Sequence, residues 1–142
     1  MKTTTFKPIS GVALISSPIH TDSRGELVAF EASRPLPFMF ERMFFMKTVD
    51  PGAVRGGHAN SCDELIVAVS GSVLADLDNG SEQSSIRLHR RDQALLVRAG
   101  VLIYLREFEP DTLLLVGASA RYNDTRHFKV PQAHLMLPNC LT

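Results

Sequence analysis

The sequence has no excess charge, few cysteines and no long hydrophobic run. Its 15 basic residues balance 15 acidic ones, so no overall field attracts a nucleic acid or an anionic membrane. No apolar stretch approaches the roughly 18 residues of a membrane span, and the N-terminus lacks the apolar segment of a secretory signal. Two cysteines, Cys62 and Cys140, are too few for a disulfide framework. These absences predict a cytoplasmic protein with reduced thiols and with neither nucleic-acid nor membrane partners.

Short apolar or alternating runs, separated by Gly, Pro, Asn and Asp, fill most of the chain. They span residues 11–16, 26–31, 42–48, 64–70, 72–77, 85–88, 94–97, 101–108 and 112–118. Runs of this length that are rich in Val, Ile, Leu and Phe are typical of β-strands, and Asn79-Gly80 is a hairpin signal between two of them. We expect one all-β domain over residues 1–142, a small antiparallel barrel with little helix, at most near residues 131–137.

The segment from Gly52 to Gly71 carries the most specific pattern. It reads Gly, five residues, His58, one residue, Asn60, three residues, Glu64, six residues, Gly. Because side chains alternate along a strand, His58 and Asn60 share one face and point into the barrel, toward Glu64 on the next strand. The pattern resembles the first cupin motif, with Asn60 in place of its second histidine.

In metal-binding cupins that motif helps to hold iron, manganese or zinc. A metal site needs three or four good ligands, and only His58 and Glu64 remain here. The second cupin motif would supply a histidine near residues 98–108, and that stretch contains none. We therefore expect no metal and no other cofactor.

Nearly the whole chain resembles one cupin family, the sugar-nucleotide 3,4-ketoisomerases. The resemblance rests on the order and spacing of short matches: Asp22-Ser-Arg24-Gly-Glu-Leu27, Leu36-Pro-Phe38, Arg42-Met-Phe-Phe45, Arg55-Gly-Gly-His-Ala59, Ser70-Gly-Ser72, Asp78-Asn-Gly80 and Tyr122-Asn-Asp124. It implies a jelly-roll, RmlC-like barrel that binds a dTDP-linked keto sugar. It also implies a homodimer, because family members pair through their barrel sheets, and an open sheet edge needs covering.

The family reaction, as the resemblance implies it, moves a ketone from C4 to C3 of the sugar through an enediol. A base takes the C3 proton and an acid delivers one at C4; the family uses a His-x-His pair and a tyrosine for this, without a metal. This sequence departs from that set at the pocket. Asn60 replaces the second histidine, Phe44 replaces the tyrosine, and Leu102-Ile103 replaces a Trp-His pair.

We expect the proton shuttle to be rebuilt from His58, Glu64 and Tyr104. His58 can act as acid or base near neutral pH. A carboxylate on the adjacent strand would make it an acid–base couple. The sequence assigns no role to the other four histidines, because none is spaced from other polar residues in a pattern that indicates a site. They are His20, His89, His127 and His134.

Substrate binding is assigned to five residues. Arg24, Arg42 and Arg55 match arginines of the family, and arginine forks suit diphosphate oxygens. Arg55 is the strongest of the three, since Gly56-Gly57 beside it lets backbone approach a ligand. Phe44 is available to stack on a base or sugar, and Asn60 is available for a polar contact.

Three functions remain open at this point. The first is a dTDP-4-keto-6-deoxyhexose 3,4-ketoisomerase, or a related epimerase, acting by metal-free proton transfer; the retained His58, Glu64 and arginines favour it. The second is a sugar-nucleotide-binding module without turnover, which Asn60 and Phe44 favour. The third is a metal-dependent cupin enzyme, which the missing ligands disfavour.

Overall fold

This computed structural model describes residues 3–31 and 39–136, and nearly all of its regular structure is β-strand. The strands are β1 (Thr4–Phe6), β2 (Val12–Ser16), β3 (His20–Asp22), β4 (Gly25–Leu27), β5 (Arg42–Thr48), β6 (Arg55–Asn60), β7 (Glu64–Ser70), β8 (Val73–Asp78), β9 (Gln83–Leu88), β10 (Gln93–Val97), β11 (Leu102–Arg106), β12 (Thr112–Ala118) and β13 (His127–Phe128). Tyr122–Asp124 and Ala133–Leu135 each form a single 3-10 turn. Within the described ranges no helix is long and apolar enough to cross a membrane.

The described strands form two large antiparallel sheets and one hairpin. One sheet has the order β1-β2-β10-β7-β12-β5, the other has the order β13-β6-β11-β8-β9, and β3 pairs with β4. A single hydrophobic cluster draws side chains from both large sheets, among them Leu95 and Leu114 from the first and Leu77 and Ile103 from the second. The predicted all-β barrel is therefore confirmed.

Alternation along β5 shows how the sequence builds this barrel. Phe44 and Met46 pack against the core between the sheets, whereas Met43, Phe45 and Lys47 are exposed on the outer face. Apolar side chains that face the core lose contact with water, which is the main source of the barrel's stability. The same alternation places any polar residue of the inner set inside the barrel, as it does at Arg42.

The predicted strands agree closely with the structure, with a few differences. Strands β5, β7 and β12 have the predicted bounds, and Asn79-Gly80 joins β8 to β9. The run at residues 26–31 stays in a strand only to Leu27, and β1, β3 and β13 were not predicted. These strands have two or three residues, too short for an alternation pattern. Near residues 131–137 the described helix is only the 3-10 turn.

Several predictions fall wholly or partly outside the described residues. The match at Leu36-Pro-Phe38 lies there, as does Cys140. Cys62 is a free, buried thiol, and burial raises the pKa of that thiol. The single-domain assignment and the cytoplasmic location stay predictions.

The chain is anchored just before β7 by a buried polar corner. Asp63 Oδ1 lies 3.2 Å from Arg98 Nε and accepts a hydrogen bond from the Ala99 amide at 2.8 Å. The Asp63 amide in turn donates to Ser119 Oγ at 2.9 Å. Buried charges of this kind need a partner, and this pairing fixes the backbone from which the next residue, Glu64, enters the barrel.

The β7–β8 turn provides a test of this packing. Gly71 has a φ of +77°, and a Cβ there would lie 2.4 Å from Thr112 Oγ1 and 2.8 Å from Thr112 Cα. Gly71→Ala should therefore lower the free energy of unfolding by about 1–3 kcal/mol, measured by urea denaturation. Gly52→Ala, whose added Cβ meets only Asp50 Oδ1 at 3.4 Å, should change it by less than about 0.5 kcal/mol. Equal effects of the two variants would contradict this account.

Candidate active site

A cavity of about 360 Å³ opens between the two sheets, polar at one end and apolar along its floor. Cavities of roughly 300–1,000 Å³ hold small organic ligands. The polar lining consists of Arg42, His58, Asn60, Glu64, Tyr122 and His127. The apolar lining consists of Phe44, Met46, Ile66, Ile103, Leu105 and Val116.

A bulge in β6 directs the first polar residue into the cavity. The register between β6 and β11 shifts so that Ile103 pairs with His58, whereas Tyr104 pairs with Gly56. Gly56 and Gly57 absorb the extra residue with φ near +80°, and a Cβ on Gly56 would lie 2.6 Å from the Ile103 carbonyl oxygen. Beyond the bulge, alternation turns both His58 and Asn60 inward, as the sequence predicted.

Glu64 is a buried carboxylate with two described partners. Asn60 Nδ2 donates a hydrogen bond to its Oε1 at 3.0 Å. Its Oε2 lies 3.7 Å from Arg42 Nη2. Burial raises the pKa of Glu64, and the hydrogen bond from Asn60 and the positive charge of Arg42 oppose that rise. This carboxylate is therefore coupled to Arg42 and Asn60.

Arg42 carries buried hydrogen-bond donors that have no partner among the described residues. Its guanidinium lies 5.2 Å from the centroid of the Phe44 ring and 5.5 Å from that of Tyr122, so two aromatic faces hold the cation in place. Its Nε and Nη1 atoms are buried and have no hydrogen-bond partner within the described ranges. Unsatisfied buried donors on a cation are costly, so the Arg42 charge is only partly compensated by Glu64 and the two rings.

His127 and Tyr122 line the cavity although the sequence assigned neither of them to the site. Strand β13 pairs with β6 so that His127 lies opposite Asn60, and its Nδ1 is 2.7 Å from Asn60 Oδ1. Its ring centroid is 5.3 Å from that of His58 and 5.6 Å from that of Tyr122. Burial lowers the pKa of His127, and the charges of His58 and Arg42 lower it further. No spacing in the sequence indicated this placement, because it arises from pairing between distant strands.

The structure brings together five of the eight residues assigned from the sequence. The five that line the cavity are Arg42, Phe44, His58, Asn60 and Glu64. The predicted His58–Glu64 couple, however, is not formed. Glu64 bonds to Asn60 instead, and no hydrogen bond or ion pair joins it to His58 in the part of the chain that the structure describes.

The assignment of Tyr104 to the proton shuttle must be corrected. Ile103 and Leu105 point into the barrel, so the residue between them faces outward. Tyr104 lies instead in a groove on the outer face of the smaller sheet, beside Asp76 and Ser85. It packs against Gly57, where an added Cβ would lie 3.0 Å from its ring.

Arg24 and Arg55 also lie outside the cavity lining. Arg24 sits in the exposed β3–β4 hairpin and pairs with Asp22. Arg55 precedes Gly56 on β6, and its Nε donates to Thr48 Oγ1 at 3.1 Å. Within this chain neither arginine joins the polar end of the cavity, and their assignment to diphosphate stays a prediction.

The described side chains contain no cluster of three or more His, Cys, Asp or Glu residues arranged to hold a metal ion. The expectation that the site works without a metal stays a prediction.

Comparison with known proteins identifies the family. The family profile described as FdtA, WxcM-like, C-terminal, matches residues 10–136. The chain belongs to this family. A curated relative, the TDP-4-oxo-6-deoxy-alpha-D-glucose-3,4-oxoisomerase of Aneurinibacillus thermoaerophilus, is 30% identical over 109 residues, covering 76% of this chain and 78% of the relative.

Solved structures agree with membership of the WxcM-like family. The 3,4-ketoisomerase QdtA of Thermoanaerobacterium thermosaccharolyticum, as a double variant in complex with TDP, superposes with a TM-score of 0.79 at 28% identity, covering 85% of this chain and 88% of its own. The TDP-quinovose 3,4-ketoisomerase WlaRB of Campylobacter jejuni gives 0.77 at 29% identity, covering 80% and 88%. The RmlC epimerase of Legionella pneumophila, at 16% identity and a TM-score of 0.76 over 89% and 78%, shares the fold.

The buried carboxylate of this WxcM-like site gives a pH test. Because the pKa of Glu64 is raised on folding, the folded protein binds its proton more tightly than the unfolded chain does. Below the usual pKa of 4.5 this tighter proton binding stabilises the folded protein. The stabilisation is lost as pH rises through the pKa that Glu64 has in the folded state. The stability difference between wild type and Glu64→Gln should thus move in favour of the variant as pH rises above 4.5.

Asp92→Asn is the matched control, measured by urea unfolding over the same range. The hydrogen bond from Arg90 lowers the pKa of Asp92, so its contribution is lost only as pH falls below the usual value of 3.8. The difference in unfolding free energy between Asp92→Asn and wild type should therefore stay constant over the pH range in which the difference for Glu64→Gln changes. A flat Glu64→Gln difference would show that the carboxylate is not desolvated by folding.

Proposed function

We propose that this chain is a dTDP-4-keto-6-deoxyhexose 3,4-ketoisomerase. The observation that carries the proposal is the polar lining of the cavity, which combines the His58 imidazole with the partly buried, cationic Arg42 guanidinium. Two relatives add support, since one is named for this reaction on TDP-4-oxo-6-deoxyglucose and another was crystallised with TDP.

The isomerisation redistributes protons and needs no added oxidant or reductant. A proton leaves C3, the C–H electrons form a C3–C4 double bond, and the former ketone oxygen O4 takes up a proton to give an enediol. The hydroxyl proton on O3 then leaves, the double bond shifts to C3–O3, and C4 takes up a proton. Each step needs an acid or a base within hydrogen-bond reach of the sugar.

The residues of the cavity fit these steps. His58 supplies an imidazole, a group that can both accept and donate a proton. Arg42 places a positive charge in the cavity lining, where it would stabilise the negative charge that develops on the enediolate oxygens. The apolar floor formed by Met46, Ile66 and Val116 suits the methyl group of a 6-deoxy sugar.

Asn60 is compatible with binding such a substrate. A QdtA variant with asparagine in place of one histidine was crystallised with TDP-4-keto-6-deoxyglucose. That observation also favours the second candidate function, a binding module that holds the keto sugar without turning it over. Catalysis here would then depend on a proton-transfer group other than residue 60.

Turnover separates the two functions. Incubated with TDP-4-keto-6-deoxyglucose in deuterium oxide, the wild-type protein should lose the C3 proton signal and form the 3-keto isomer, followed by proton NMR. His58→Gln should reduce this rate by about 10²- to 10⁴-fold. His89→Gln, at an exposed turn after β9, serves as the matched control and should be unaffected.

Folded wild-type protein that exchanges no proton over hours, yet is thermally stabilised by TDP, would establish the binding module instead. An active His58→Gln variant would remove His58 from the mechanism.

We also propose that the protein is a homodimer that pairs through the outer face of β5 and β12. Met43 and Phe45 are 62% and 72% exposed there, and Leu115 extends the patch on the neighbouring strand. Since β5 is an edge of its sheet among the described strands, its open backbone and this apolar face are features that a second copy covers.

Phe45→Glu tests the dimer. A buried, unpaired carboxylate at the centre of the interface should convert the dimer to a monomer in analytical ultracentrifugation, with a rise in dissociation constant of at least about 10²-fold. Val130→Glu places the same charge at an exposed apolar position near β13 and should leave the dimer intact. A monomeric wild type would contradict the proposal.

A further inference from the structure

The cavity contains two histidines, although the sequence motif supplies only one. His58 comes from β6, and His127 comes from β13, the strand that pairs with β6. Both line the cavity, with ring centroids 5.3 Å apart. The position at which the motif would place a second histidine holds Asn60, which bonds to His127. The imidazole missing from β6 is thus present in the same cavity, on a different strand.

We propose that His127 is the second acid–base group of the isomerisation and that Asn60 is the positioning residue that sets its tautomer. The proposal rests on the proposed function, because it assigns a step within that reaction.

The hydrogen bonds fix which nitrogen of His127 carries a proton. Glu64 Oε1 accepts from the amide nitrogen of Asn60, so the amide oxygen of Asn60 faces the imidazole. An amide oxygen only accepts hydrogen bonds, so Nδ1 of His127 must carry the hydrogen. In the neutral ring Nε2 is then the unprotonated nitrogen, the one able to act as a base.

The charges around His127 keep this base neutral. From β5 it faces Arg42, from β6 it faces His58 and Asn60, and Glu64 on β7 reaches it only through Asn60. The Tyr122 ring, in the preceding 3-10 turn, has its centroid 5.6 Å from that of His127. The adjacent Arg126 stacks on Phe128. The pKa of His127 is lowered by burial and by the neighbouring positive charges. Asn60 therefore orients the ring as a carboxylate would, without adding a negative charge that would favour the imidazolium.

This arrangement divides the proton transfers between two rings. His127 Nε2 takes the proton from C3 and becomes an imidazolium, while the C–H electrons move into the C3–C4 bond and a proton from His58 neutralises O4. His58 then takes the proton from O3, and His127 returns its proton to C4. Both rings end in their starting states, so the cycle is balanced in protons and electrons.

Kinetics on the full-length protein test the role of His127. His127→Gln should lower kcat for TDP-4-keto-6-deoxyglucose by about 10²- to 10³-fold with KM changed less than about threefold, and should slow C3 exchange in deuterium oxide equally. His89→Gln should match wild type. An active wild type with a His127→Gln variant within threefold of it would overturn this inference and leave the proposed function standing. An inert wild type would overturn both.

Nitrogen NMR of the imidazole rings tests the role of Asn60 without relying on turnover. In wild type, His127 should show a protonated Nδ1 and a bare Nε2 when neutral, and should titrate below the usual pKa of 6.5. Asn60→Ala should relax the ring toward a mixture of tautomers while the thermal unfolding curve stays cooperative. A wild-type His127 protonated on Nε2 would overturn the assignment of Asn60.

The pH profile supplies the readout that a structural role would not move. Asn60→Asp places a carboxylate against Nδ1, which favours the imidazolium and raises the pKa of His127. Because the base must be neutral to work, the acid limb of kcat/KM should shift to higher pH in this variant. An acid limb at the wild-type position, in a folded and active variant, would contradict the coupling between Asn60 and His127.

Discussion

A carboxylate inside a β-barrel has to be compensated by neighbouring donors, and in this protein that constraint organises the whole polar end of the cavity. Glu64 enters from β7 behind the Asp63–Arg98 corner and is buried among apolar side chains. It draws Arg42 from β5 and Asn60 from β6 toward itself, and Asn60 in turn holds His127 from β13. One buried charge therefore links four strands from both sheets, so that the arginine and the two histidines face the same space.

The departures from the family pattern make sense as parts of this network. A histidine at position 60 could act on the substrate itself, whereas asparagine cannot take up a proton; it can, however, bridge Glu64 and His127 with its two ends. Phe44 lacks the hydroxyl that the resemblance implies, and it instead offers a face to the Arg42 guanidinium. Both substitutions exchange a titrating group for one that positions a neighbour. The same barrel can then keep an acid–base pair while drawing its second member from a different strand.

Sequence patterns predicted the barrel because period-two alternation and turn signals are local properties of the chain. They also predicted the inward set on β6 and β7, since the motif gives the spacing of His58, Asn60 and Glu64 directly. Tyr104 was assigned to the cavity on its position near the second motif, although Tyr104 and Arg106 alternate with Ile103 and Leu105, and this alternation places the tyrosine on the outer face. His127 was missed for a different reason: its role depends on the register between β6 and β13, 67 positions apart in the chain, and the strand that carries it is too short to be recognised. Local sequence patterns thus locate the site residues on β6 and β7, whereas His127 on β13 is located only by the pairing of the strands in three dimensions.

The central claim is that the substrate sugar lies at the polar end of the cavity, between the two histidines and against Arg42. A crystal structure of His58→Gln protein with TDP-4-keto-6-deoxyglucose tests this most directly, because the variant should bind the sugar without converting it. The account predicts that C3 lies within reach of His127 Nε2, that O4 accepts a hydrogen bond from Arg42, and that the C6 methyl packs on the apolar floor. A sugar ring bound elsewhere, for example in the outer groove beside Tyr104, with the polar end of the cavity empty, would contradict it.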